Sequence, residues 1–170
     1  MSQALWLPYT KMRGAAPLRA VATRGSRIEL ADGRSLIDGI ASWWTACHGY
    51  NHPHIEAAIA AQLARMPHVM LGGLVHPQAE RLAARLAALL PGTLGHVFFA
   101  ESGSVAVEVA MKIAVQHHLA HGAPARTRFL HFRDGYHGDT FATMAVCDPE
   151  EGMHAMFREV LAQHPLADLP

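Results

Sequence analysis

The sequence predicts an α/β fold, and three stretches predict it. His96-Val97-Phe98-Phe99-Ala100 is a short β-branched and aromatic run of the kind that forms a buried strand. Residues 105–120 are rich in Ala and Val and stop near Gly122, as a helix does, and residues 128–132 read as strand again. Strand, helix and strand in that order make a βαβ unit with parallel strands. The expected architecture is a partial parallel-type sheet with flanking helices, preceded by an N-terminal arm and a hairpin.

The remaining elements follow in chain order. Residues 1–27 show little periodicity, are interrupted by Pro8 and Pro17, and read as an extended arm that packs on something else. Residues 27–30 and 35–40 flank Ala31-Asp32-Gly33-Arg34, a hairpin signal with Asp-Gly at its tip. Residues 41–53 are irregular and aromatic. Ile55, Ile59, Leu63 and Met66 recur at helical spacing before Pro67 ends the run. Leu82, Leu86 and Leu89 repeat the pattern within residues 77–90, which Pro91-Gly92 terminates. Residues 133–139 read as a loop, and residues 140–146 as a further short helix or strand.

Composition narrows the range of functions. A chain of 170 residues with 51% apolar and 16% charged residues can build a packed domain. Fourteen Lys and Arg balance fourteen Asp and Glu, so no basic field draws in nucleic acid or an anionic membrane, and a small neutral or zwitterionic ligand fits better. Cys47 and Cys147, the two cysteines, give neither a disulfide scaffold nor metal-ligand spacing. No apolar run reaches the roughly 18 to 20 residues of a membrane span, and the N-terminus is not a signal peptide, so a cytoplasmic location is expected.

Three stretches carry chemistry. Ser102-Gly103-Ser104 joins the end of the 96–100 strand to the start of the following helix. A helix start offers unpaired N–H groups and partial positive charge, and a turn this small lets a phosphate approach them; an ordinary Ser N-cap is the alternative. Gly135-Tyr136-His137-Gly138-Asp139-Thr140 leaves the next strand, and in a parallel sheet such loops border one crevice. Tyr136 could stack there on a flat heterocycle, with the flanking glycines freeing the backbone, or it could pack in the core. Ser42-Trp43-Trp44-Thr45 places two rings on opposite sides of an extended segment, so that one packs inward and the other, taken as Trp43, lines a pocket; both could equally fill a core.

These three stretches, in this order, resemble the class III pyridoxal-phosphate aminotransferases of fold type I. The resemblance runs from Trp6-Leu7-Pro8-Tyr9-Thr10 to Asp148-Pro149, and its most specific parts are the double tryptophan, Ser102-Gly103-Ser104-Val105-Ala106-Val107-Glu108-Val109-Ala110-Met111-Lys112 and Gly135-Tyr136-His137-Gly138-Asp139-Thr140. Leu7 departs from the histidine common in the family. The resemblance implies that Gly103 and Ser104 hold the phosphate of pyridoxal 5'-phosphate, that Tyr136 stacks on its ring, and that Tyr9 and Trp43 shape the substrate site. It implies an arm and hairpin of a small domain over residues 1–54, and the first, incomplete part of the large cofactor-binding domain over residues 55–170. Ser104-Val105-Ala106 favours the biotin-synthesis branch, in which S-adenosylmethionine gives its amino group to 8-amino-7-oxononanoate and a homodimer builds the site.

Such chemistry needs a lysine to form a Schiff base with the cofactor and an acidic partner for the pyridine nitrogen. Lys11 and Lys112 are the two lysines. Lys112 is expected to pair with Glu108 four residues earlier, and Lys11 lies in the arm, so neither fits. The family places both catalytic groups downstream. The chain is therefore expected to be an N-terminal fragment or truncated product, inactive alone, with an exposed sheet edge. The alternatives are another class III transaminase with a diamine or ω-amino acid donor, and a non-catalytic remnant that binds a phosphorylated ligand. His117 and His121 share a helical face, where the helix dipole explains them better than a metal does.

Overall fold

In a computed structural model that describes residues 4–12, 14–150 and 155–169, the hairpin around Asp32-Gly33 forms and a third strand joins it. Strands β1 (Ala20–Arg24), β2 (Arg27–Leu30) and β3 (Ser35–Ile37) make an antiparallel sheet in that order. The β2–β3 tip is closed by Leu30 N–H on the Arg34 carbonyl at 2.8 Å, and Gly33 takes the φ of +86° that the turn requires. The Asp32 carboxylate accepts from the Arg34 backbone at 3.1 Å and from its Nε at 2.9 Å. β1 shortens the extended arm expected over residues 1–27, since residues 20–24 belong to the sheet. Its Ala-Val-Ala-Thr-Arg alternation is weak, and it becomes a strand by pairing with β2, with an irregular register between Ala20 and Ala22.

After β3 the chain folds back on the hairpin. Asp38 N–H bonds the Ser26 carbonyl at 2.8 Å, and Gly25 and Tyr50 exchange backbone hydrogen bonds at 3.1 and 2.7 Å. Thr23 Oγ1 donates to Asn51 Oδ1 at 2.9 Å, and Asn51 Nδ2 donates to Glu56 at 2.9 Å. Helix α1 (Pro53–Arg65) then opens with proline in its first turn, where the missing N–H would be unpaired anyway, and ends ahead of Pro67. These elements belong to the first of two compact units, Met1–His76; the second is Pro77–Pro170.

The second unit begins with helix α2 (Pro77–Leu89), followed by helix α3 (Gly103–Ala120). Strand β4 (His131–Phe132) pairs in parallel with β5 (Leu166–Ala167), and Arg133 N–H extends the pairing to the Ala167 carbonyl at 2.9 Å. Between them lie helix α4 (Phe141–Met144) and a short 3-10 helix (Ala155–Val160). Parallel pairing is therefore present, yet residues 96–100 and 128–130, expected as strand, have no ladder partner among the described residues. Their side-chain pattern is that of strands, but a ladder needs a neighbouring backbone to accept its N–H groups.

The core of this unit is small and sits beneath one loop. Thr143 is 0% exposed, and Cys147 and Asp148 are each 2% exposed, beside the buried Met144, Ala145, Val146 and His131. Helices α1, α2 and α3 fully bury no side chain.

Candidate functional site

Helix α3 opens as the small-residue turn suggested. Ser102 stands in extended backbone (φ −148°, ψ 160°) and its Oγ accepts the Val105 N–H at 3.2 Å, while Ala106 N–H bonds the Ser102 carbonyl at 3.0 Å. The N-cap and the phosphate readings are thus compatible. The cap uses Val105, whereas the N–H groups of Gly103 and Ser104 find no acceptor among the described residues. A Cβ on Gly103 would meet nothing within 4 Å, so the helix start is open to an approaching anion.

The loop of residues 135–140 lies against this helix start. Asp139 N–H donates to Ser104 Oγ at 3.2 Å. Gly138, at φ +131°, is so close that a Cβ there would fall 2.7 Å from Ser104 Cβ and 2.8 Å from its Cα. Gly135 is also pressed on backbone, since its Cβ would meet the Phe132 carbonyl oxygen at 2.9 Å. The glycines are needed for close approach as much as for freedom of the chain. Tyr136 and His137 stand exposed between them.

Three anchors fix this loop. The Asp148 carboxylate accepts from the backbone of Asp134 at 2.8 Å and of Glu150 at 2.7 Å, while Asp148 N–H bonds the Gly135 carbonyl at 2.8 Å. His137 N–H points at the buried Cys147 Sγ, 3.2 Å away. Glu108, one turn inside α3, accepts from Thr140 Oγ1 at 2.6 Å and from Ala142 N–H at 3.2 Å through the same carboxylate oxygen. This corrects the expected Glu108–Lys112 pair. Glu108 and Lys112 form no ion pair: the loop offers Glu108 fixed donors, and a flexible lysine would gain little there.

In the first unit, Tyr9 and Trp43 meet edge to face, with ring centroids 5.9 Å apart and planes at 77°. Tyr9 sits at φ +56° in a turn held by Thr10 Oγ1 on the Leu7 carbonyl at 2.7 Å and by Trp6 Nε1 on the Thr10 carbonyl at 3.1 Å. Residues 41–44 all have positive φ, of 49°, 45°, 54° and 76°, which is one turn of left-handed helix. Each such residue costs about 1–2 kcal/mol relative to the right-handed course. An extended segment would have sent one tryptophan inward; the left-handed turn leaves Trp43 65% exposed and Trp44 88% exposed. The expectation that one of the pair packs inward is corrected on that ground.

Asp38 underlies this turn. Its carboxylate accepts from Ile40 N–H at 3.1 Å, Ser42 N–H at 2.7 Å, Ser42 Oγ at 3.2 Å and the Tyr50 hydroxyl at 2.5 Å; Ser42 Oγ and Tyr50 OH also bond each other. The Tyr50 bond is the main reason that Asp38 is held below the ordinary carboxylate range, and the same bond raises the Tyr50 phenol. Sequence reasoning gave Asp38 and Tyr50 no role and read Glu108 only as a local pair, because the partners that join Asp38 to Tyr50 and Glu108 to the loop lie 12 to 34 residues away.

His117 and His121 stack with centroids 4.2 Å apart, and His121 Nδ1 lies 2.7 Å from the His117 carbonyl, closing the end of α3. A cavity of about 190 Å³ lined by His131, Cys147, Arg158, Gln163 and His164, among others, takes no residue from the Ser102 turn or the 135–140 loop.

A strand-associated loop is thus seated on a glycine-bearing helix start in an α/β framework. The model of the class-III aminotransferase family matches residues 9–170, and the chain belongs to that family. Its relatives include the adenosylmethionine-8-amino-7-oxononanoate aminotransferases of Corynebacterium glutamicum, 44% identical over 98% of this chain and 39% of that protein, and of Saccharomyces cerevisiae, 38% identical over 98% of this chain and 36% of that protein. The solved structure of the Methanocaldococcus jannaschii enzyme of the same name superposes with a TM-score of 0.90 at 32% identity, covering 99% of this chain and 39% of that one. An amine transaminase from an uncultivated Pseudomonas species, in its pyridoxal-phosphate-bound form, superposes with a TM-score of 0.83 at 32% identity, over 100% of this chain and 39% of its own. The fold is thus the N-terminal part of a fold type I transferase, as the sequence led us to expect. The chain spans 39% of the length of the first of these relatives.

Proposed function

We propose that the chain supplies the phosphate- and ring-binding part of an aminotransferase that moves an amino group from S-adenosylmethionine to 8-amino-7-oxononanoate, giving 7,8-diaminononanoate in biotin synthesis. The observation that carries this reading is the seating of Gly138 and Asp139 on Ser104 at the open start of α3. Phosphate oxygens would take the N–H groups of Gly103 and Ser104, helped by the helix dipole. Tyr136, exposed between two constrained glycines, would cover one face of the pyridine ring and exclude water from it. Bound there, pyridoxal phosphate supplies an electron sink for the carbon that loses or gains the amino group. Tyr9 and Trp43 would offer flat apolar faces to the substrates.

Lys112 lies further along α3, away from the helix start that would hold the phosphate. We therefore propose that the Schiff-base lysine and the acidic partner of the ring nitrogen come from outside these residues, that the 170-residue chain alone is inactive, and that the working enzyme is a cytoplasmic homodimer. The division at residue 54 between small and large domain is part of the same reading.

The test is a donor assay on the protein expressed with any sequence its reading frame adds after Pro170. S-adenosylmethionine is expected to support formation of 7,8-diaminononanoate where lysine does not. Turnover with lysine or an ω-amino acid alone would instead indicate another class III transaminase, and binding of pyridoxal phosphate without turnover a non-catalytic remnant. Tyr136→Ala should weaken retention of pyridoxal phosphate about tenfold, the loss of one stacked ring. Unchanged retention would remove Tyr136 from the site.

A further inference from the structure

Four consecutive non-glycine residues in left-handed backbone do not hold themselves there. Residues 41–44 do so here, and Trp43 is one of them. Backbone bonds within the turn, Trp44 N–H to the Ile40 carbonyl at 3.2 Å and Ala46 N–H to the Ala41 carbonyl at 2.9 Å, close it locally but do not choose its hand. The group that reaches into the turn from outside is Asp38, which takes donors from Ile40 and Ser42 at once. Asp38 is itself tied to Tyr50, and Tyr50 is fixed to the β1–β2 turn by its two backbone bonds with Gly25. A continuous line of hydrogen bonds therefore runs from the hairpin through Tyr50 and Asp38 to Ser42, the neighbour of Trp43.

We infer that Asp38, clamped by Tyr50, is a positioning residue that fixes the left-handed turn of residues 41–44 and thereby sets the edge-to-face contact of Trp43 with Tyr9. The inference deepens the proposed role of Tyr9 and Trp43 at the substrate site and rests on it only for its catalytic consequence. A carboxylate suits the task because it accepts from several donors at once and, ionised, makes charge-assisted bonds stronger than those of an amide. Asparagine keeps the shape but turns an NH2 group towards donors. Phenylalanine at position 50 removes one donor and leaves the ring.

The experiment uses the full chain and takes the Trp43 signal as the difference between each protein and its Trp43→Phe counterpart, so that Trp6 keeps its bond to the Thr10 carbonyl. Asp38→Asn and Tyr50→Phe are each expected to abolish most of the near-ultraviolet circular dichroism of Trp43 while the far-ultraviolet spectrum is kept. The double variant should be little worse than either single one, because both cut the same line of bonds. Asp38→Glu, which keeps the charge, should restore part of the signal. A Trp43 band unchanged in both single variants overturns the inference, as does a loss that the far-ultraviolet spectrum shows to be general unfolding in Asp38→Asn and in Tyr50→Phe alike. The catalytic arm, in the protein carrying any sequence after Pro170 and loaded with pyridoxal phosphate, expects KM for the amino donor to rise about tenfold in Asp38→Asn with kcat largely kept. A lost Trp43 band with KM unmoved upholds the positioning and removes Trp43 from the substrate site.

Discussion

Glu108 shows how one side chain can join two elements that the sequence keeps far apart. Its single oxygen serves both a hydroxyl and a backbone N–H of the loop around α4, at 2.6 and 3.2 Å. Glu108→Ala leaves those donors, half-buried on the loop, without an acceptor, a cost of about 1–3 kcal/mol, whereas Lys112→Ala should stay within about 0.5 kcal/mol. Urea denaturation of the two variants decides the matter: equal losses would restore the Glu108–Lys112 pair as the structural unit. At this scale the sequence was legible where the chemistry is local. Ser102 caps the helix it precedes, and Gly135 and Gly138 stand where close approach demands them. It was illegible where a partner comes from across the chain, as for Glu108 with Thr140, Asp148 with Asp134, and Asp38 with Tyr50.

Helices proved the most readable elements, because periodicity and punctuation agree. Proline opens α1 and α2, and a small-residue turn opens α3. Strands were read less well. The Asp-Gly hairpin was clear from its tip, but β1 is a strand only through β2, and residues 96–100 carry the composition of a strand without a neighbour to pair with. The candidate site depends on a junction of elements, the seating of the 135–140 loop on the start of α3, and Gly138 is its tightest point. Gly138→Ala must place a Cβ 2.7 Å from Ser104 Cβ at a φ of +131°, which side chains rarely adopt, so the loop has to lift. We expect a loss of about 1–3 kcal/mol, against about 1 kcal/mol for removing the helix cap by Ser102→Ala. Since the lifted loop would also uncover the proposed phosphate position, Gly138→Ala should weaken pyridoxal phosphate binding, measured by equilibrium dialysis, more than Ser102→Ala does. The reverse order would place the phosphate away from Ser104.

At the scale of the whole molecule the governing fact is how few apolar side chains are buried among the described residues. In the first unit Leu30, at 5% exposed, is the fully buried apolar side chain among the described residues. Ile55, Ile59 and Leu63 recur along α1, and Leu82, Leu86 and Leu89 along α2, and all six are exposed although their spacing is that of core-facing stripes. Burying apolar area at roughly 25 cal/mol per Å² is the main force opposing conformational entropy, so helices that bury no side chain fully contribute little cooperativity. Stability should therefore concentrate in the hydrogen-bonded hairpin of the first unit and the 143–148 core of the second, two pieces with separate supports. As an isolated 170-residue chain the protein is expected to bind the dye ANS at neutral pH and to melt over a broad range, with the hairpin and the 143–148 core losing protection at different temperatures by hydrogen exchange. A single sharp transition, followed identically by far-ultraviolet circular dichroism and by exchange at Leu30 and Thr143, would mean that the stripes on α1 and α2 are covered in solution. The two helices would then have to be counted among the elements that hold the site together.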